Sequence, residues 1–173
     1  MTSVPLSIDR VNAMNAEAFR DAFAAIAEKS AWVAAAAGTS RPFADRADAI
    51  AAFQDALTGA DRQPQLAVLR AHPDLAGRAA LAGDLEQASK EEQAGAGLDS
   101  LSADELARFT DFNTRYRARF GFPFILAVRG ATKYDILAAF AARIDNGAEA
   151  EFYTAINQVC RIMQFRLEDA IAG

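Results

Sequence analysis

Cysteine and histidine are nearly missing from this 173-residue chain: Cys160 and His72 each stand alone. A single thiol forms no disulfide within the chain, which fits a reducing compartment. One His and one Cys cannot build a His/Cys zinc cage, and neither H-E-x-x-H nor C-x-x-C occurs. A carboxylate-rich metal site has no motif behind it, so no metal is expected. Long apolar runs are also missing. No run is longer than that of Ala31 to Ala37, far short of the roughly 20 residues that a membrane span needs. Met1 to Arg10 lack the basic start and apolar core of a signal peptide, and Ile171-Ala172-Gly173 is not a peroxisomal S-K-L address. These absences predict a cytoplasmic protein with no membrane partner. Positive charge is in deficit, with 18 Lys and Arg against 23 Asp and Glu, a net charge of −5. An acidic chain speaks against a nucleic-acid partner, which needs a basic face. It leaves an anionic small molecule possible, because one buried arginine can hold an anion. P-loop, G-x-G-x-x-G and G-x-S-x-G signatures are absent as well.

What is present is globular and helical. Hydrophobic residues make up 52% and charged residues 24%, a mix that argues against disorder. The length suits one domain over residues 1–173, large enough to bury about 70% of its unfolded-state surface. Phe19, Phe23 and Ile26 follow a cap at Asn15 at helical spacing, and Ile50, Phe53 and Leu57 repeat the pattern. Gln65 to Ala71 reads as a short helix that stops at His72, because the residue before Pro73 is pushed out of the α region. Gly77 to Gly97 is less regular, punctuated by Gly83, Gly95 and Gly97, with a short helix starting at Ser89. Ser102 with Glu105 forms a capping box for a long helix carrying Leu106, Phe109, Asn113, Tyr116 and Phe120, which Gly121 ends. Phe124 to Val128 is the one strand-like piece, too short for a sheet, and reads as an extended linker. Thr132 caps a helix with Ile136, Phe140 and Ile144, which Asn146-Gly147 breaks, and a last helix runs from about Ala148 to Ile171. The expectation is an all-α domain of about seven or eight helices with no sheet.

Few residues could carry chemistry. His72 sits at a helix end, held by Pro73 and beside Asp74; both the helix C-terminus and the carboxylate favour the imidazolium, which suits proton transfer. Glu92 closes the S-x-x-E spacing of Ser89-Lys90-Glu91-Glu92, so it is either a capping carboxylate or a catalytic one placed by its helix start. Arg166 continues the apolar stripe of Phe152, Ala155, Ile156, Val159, Ile162 and Met163. A cation there needs an anion or a ring of acceptors: an internal salt bridge or a ligand. Cys160 reads as a buried, inert thiol. The Phe120-Gly121-Phe122-Pro123-Phe124 cluster is either plain core or a sharp turn whose backbone meets a ligand.

The same residues carry a family resemblance. Ala71-His72-Pro73-Asp74-Leu75-Ala76-Gly77, Glu92-Gln93 with Ala96-Gly97-Leu98, and Phe120-Gly121-Phe122-Pro123-Phe124-Ile125 resemble the OHCU decarboxylases. Ser30-Ala31-Trp32-Val33, Arg41-Pro42-Phe43 and the stretches from Arg143-Ile144 through Val159-Cys160-Arg161-Ile162 to Arg166-Leu167 extend the likeness over nearly the whole chain. Those enzymes convert 2-oxo-4-hydroxy-4-carboxy-5-ureidoimidazoline (OHCU) to (S)-allantoin. The resemblance implies an all-helical, cofactor-free decarboxylase that dimerises. It puts the catalytic histidine, glutamate and arginine on His72, Glu92 and Arg166. Substrate contacts fall on Pro73, Ser89, Gln93 and the stretch Phe122, Pro123, Phe124 and Ile125. The three catalytic side chains are expected to open onto one pocket. The other reading is a non-catalytic helical module that binds a protein partner or a purine-derived effector.

Overall fold

The computed structural model of the chain describes residues 4–77 and 85–173; Gly83 of the irregular stretch lies outside them. Among the described residues there are nine helices and no sheet. They are α1 (Ile8–Ala13), α2 (Ala16–Ala22), α3 (Ala31–Gly38), α4 (Arg46–Thr58), α5 (Arg62–Ala71), α6 (Gln87–Gly95), α7 (Ala103–Phe120), α8 (Lys133–Arg143) and α9 (Ala148–Ala170). Leu6 pairs with Ile171 in an isolated bridge. The all-α expectation stands. The helices beyond the seven or eight expected are α1, only six residues long, and α3, whose Ala31–Ala37 run is apolar on every face and so shows no period.

Local signals set most helix ends. The Asn15 side chain accepts from the Ala18 amide at 2.8 Å. Ser102 and Glu105 form a full capping box, and Thr132 with Asp135 forms another. Gly121 ends α7 at φ 77°, a left-handed position that a side chain would strain. One start differs from expectation. Helix α6 begins at Gln87 with extended Glu86 as its N-cap, so Ser89 and Glu92 do not form a capping box. Gln87 and Ala88 are already helical, which moves the start two residues upstream. Ser89 becomes the third helical residue and Glu92 falls in the second turn rather than the first.

The chain forms two compact units, one of residues 1–71 and 159–173 and the other of residues 72–158. The first has an aromatic core of Phe19, Phe23, Phe43 and Phe53, with ring centroids 4.8 to 6.1 Å apart. The Asn12 side chain ties Phe43 to α1, its Nδ2 donating to the Phe43 carbonyl and its Oδ1 accepting from the Phe43 amide, each at 2.8 Å. Arg41 donates to the Met14 carbonyl at 2.6 Å and covers the Phe19 ring.

The second unit packs Phe109, Tyr116, Phe122, Phe124, Phe140 and Phe152 together. Inside it lies a fully buried carboxylate, Glu151. Glu151 accepts from the Tyr116 hydroxyl at 2.5 Å, from Arg143 Nε at 2.7 Å and from Asn146 Nδ2 at 3.0 Å. Arg143 Nη1 donates onward to the Ile125 carbonyl at 2.7 Å, and its guanidinium lies over the Phe124 ring. Burial, and then the hydrogen bond to Glu151, push the Tyr116 phenol above its ordinary range.

Removing one partner of this buried pair strands the other charge. Arg143→Met should therefore lower unfolding free energy by about 3–5 kcal/mol, and Tyr116→Phe by about 1–2 kcal/mol, in urea titrations. The raised phenol pKa implies stability that is complete below the unfolded tyrosine's value of about 10 and is lost as pH rises beyond it. The stability gap between the parent and Tyr116→Phe should narrow above that pH.

Candidate active site

His72 is the first residue after α5 and is 6% exposed. The next five residues make a tight turn held from two helices. Arg117 of α7 donates to Asp74 through Nε at 3.1 Å and Nη2 at 3.0 Å. One turn earlier on α7, Asn113 Nδ2 donates to the Leu75 carbonyl at 2.8 Å. The Ala76 amide donates to Gln93 Oε1 of α6 at 3.0 Å. Ala76 is buried and left-handed, φ 51°, a conformation that costs a non-glycine residue about 1–3 kcal/mol and persists only where its surroundings hold it. Gly77 follows because a Cβ there would stand 2.6 Å from Asp74 Cβ.

Ser89, Glu92 and Gln93 lie three and four residues apart, on one face of α6. Ser89 and Gln93 are buried and Glu92 is half-buried. The Gln93–Ala76 bond sets this face against the His72 turn. Pro73 is half-buried, while Phe122, Pro123, Phe124 and Ile125 are all buried and lie outside any helix, with Phe122 at a bend. These residues belong to the second unit, and Arg143 holds the segment at Ile125.

Arg166 belongs to the first unit and is 7% exposed. Its Nη1 donates to the carbonyls of Ala25 at 3.1 Å and Ile26 at 3.5 Å, and pairs with Glu28 Oε2 at 3.4 Å. Glu28 is 2% exposed, on a bend where Lys29 is left-handed at φ 47° and Ser30 Oγ donates to the Glu28 carbonyl at 2.8 Å. The internal salt bridge is therefore present. These three contacts all fall on Nη1 and hold the plane of the guanidinium.

Glu28 and Asn113 were not expected as site neighbours. The signal for each was a polar residue in an apolar setting: Glu28 after Ala24-Ala25-Ile26-Ala27, and Asn113 on the α7 stripe.

A family model for OHCU decarboxylase matches residues 12–168. The chain belongs to the OHCU decarboxylase family. It is 42% identical over 168 residues to the 2-oxo-4-hydroxy-4-carboxy-5-ureidoimidazoline decarboxylase of Haloferax volcanii, covering 97% of this chain and 98% of that protein. It is 41% identical over 167 residues to the Mus musculus decarboxylase of the same name, covering 95% of this chain and 92% of that one. A solved (S)-allantoin synthase superposes with a TM-score of 0.79 at 31% identity, over 97% of this chain. This chain spans 54% of that protein's length. Among the described residues, no group of three or more His, Cys, Asp or Glu is placed to hold a metal, and no helix is long and apolar enough to cross a membrane.

Cys160 is 9% exposed, and burial, with a smaller push from Asp55, raises its thiol to about 11. A nucleophilic thiol needs the opposite shift. Cys160→Ser should keep turnover within about twofold of the parent, and iodoacetamide at pH 8 should label the folded chain far more slowly than the urea-unfolded one; mass spectrometry reads the labelling.

Proposed function

We propose that this chain converts OHCU to (S)-allantoin and CO2 in urate degradation, with residues 1–173 acting as one decarboxylase domain. Similarity to decarboxylases along nearly its whole length carries this reading. The substrate needs no cofactor to lose CO2. The electron pair released at C4 is accepted by the adjacent C5=N bond, whose nitrogen is conjugated with the ring carbonyl. What remains for the protein is protonic and electrostatic. The C4 hydroxyl must give up its proton to become a ring carbonyl, C5 must gain one from a single face, and the ring nitrogen that took up the electron pair must gain one to become N–H.

His72 and Glu92 are assigned these proton transfers, His72 handling the hydroxyl proton and Glu92 orienting it or shaping delivery to C5. The clamped turn after His72 supports the assignment, since proton transfer needs a donor and acceptor held within hydrogen-bond reach. Pro73, Ser89, Gln93 and the backbone of Phe122 to Ile125 are assigned to substrate binding. Gln93 Oε1 already accepts from Ala76, so contact with substrate falls to its NH2 group. Arg166 is assigned to a ring or ureido carbonyl, where negative charge grows as CO2 leaves. Clamping the departing carboxylate instead would stabilise the ground state and slow the reaction. We place the protein in the cytoplasm as a homodimer, which the family resemblance supports; light scattering should give twice the 18.5 kDa chain mass.

His72→Asn should fold like the parent and lose roughly 10²-fold or more in turnover, followed by circular dichroism as (S)-allantoin appears. Near-parent turnover would remove His72 from the mechanism. Arg166→Lys keeps the charge and loses the planar fork. It should lower kcat by roughly 10- to 100-fold, or about 1.4–2.7 kcal/mol of barrier. A higher KM with kcat unchanged would mean that Arg166 only anchors substrate.

A further inference from the structure

Asn113 is the polar exception on the buried face of α7. Its neighbours on that face, Phe109 and Tyr116, have no exposure, and Asn113 itself is 7% exposed. A buried carboxamide is costly unless it is hydrogen-bonded, and here its NH2 group donates to the carbonyl of Leu75, 38 residues away. That carbonyl belongs to the peptide leading into left-handed Ala76, in the turn that follows His72. Three successive residues are gripped by three side chains: Asp74 by Arg117, Leu75 by Asn113 and Ala76 by Gln93. The Arg117–Asp74 pair is partly exposed, at 46% and 26%, so solvent screens it. The Asn113 and Gln93 bonds are buried and are the ones able to hold a strained turn.

We propose that Asn113 is a positioning residue for His72: by fixing the Leu75 carbonyl it keeps Ala76 left-handed and the His72–Gly77 turn in one shape, without itself touching substrate. The inference rests on the reading of His72 as a proton-transfer group. Misplacing such a group by about 1 Å can cost roughly 10²-fold in rate, so loosening the turn should be visible in kcat rather than in KM.

His72 is the only histidine of the chain, so its ring protons are a unique NMR probe of the turn. Asn113→Ala removes the donor, and Asn113→Asp removes it while keeping the shape. Each should lower kcat by roughly 10-fold or more with KM within about twofold, and each should shift the His72 Hδ2 and Hε1 resonances in a chain that circular dichroism shows to be folded. Parent-like kcat, or ring resonances that superimpose on the parent's, would overturn the proposal. Loss of folding in both variants would also overturn it, by making Asn113 a requirement of the core rather than of the turn. His72→Asn, measured alongside, separates the two levels. Full turnover there sinks the assignment of His72 and the positioning role with it. Lost turnover there, with parent-like Asn113 variants, sinks the positioning role alone.

Discussion

Glu151 is a carboxylate with no exposure to water, and the second unit is arranged around the need to satisfy it. An isolated buried carboxylate would be untenable. Three donors from three places meet it: Tyr116 on α7, Arg143 at the end of α8 and Asn146 in the loop that follows. Because Arg143 also reaches the Ile125 carbonyl and covers Phe124, the same pair holds the irregular Phe122–Ile125 segment. Outside any helix, that segment is held at Ile125 by the Arg143 side chain. A hydrophobic substitution of the whole network could be as stable; it would leave the segment without its fixed point.

The first unit repeats the theme with different groups. Arg166 lies on the apolar stripe of α9, and Glu28 meets it from a bend with a left-handed lysine. A guanidinium whose Nη1 meets a carboxylate and two backbone carbonyls keeps little rotational freedom. In the role proposed for Arg166, donors fixed in advance suit stabilisation of charge that appears only during reaction, since no reorganisation is then needed. The His72 turn follows the same logic, with strain at Ala76 held by neighbours.

Much of this fold was legible before any coordinates. Asn15, Ser102 with Glu105, Thr132, Pro73 and Gly121 act on the backbone within a few residues of themselves, and each ends or starts its helix as its chemistry requires. Arg166 announced a buried partner by breaking an apolar stripe. Two signals misled or were silent. Ser89 and Glu92 have capping-box spacing, yet the helix starts upstream at Gln87 because Glu86 is the residue in extended conformation. The Ala31–Gly38 helix is apolar all round, so it has no period to detect.

The sequence by itself determined the class of the fold, most helix ends, the lone histidine at the end of one helix and, in Arg166, a cation that must be satisfied in the interior. Only the tertiary structure decided which buried polar groups meet. Arg166 pairs with a glutamate 138 residues away, Arg143 bonds a carbonyl 18 residues away, and Asn113 reaches back 38 residues to Leu75. Capping and periodicity act through neighbours along the chain, whereas a hydrogen bond between distant residues needs both groups brought within about 3 Å of each other, a distance that residue spacing does not encode and that packing alone sets.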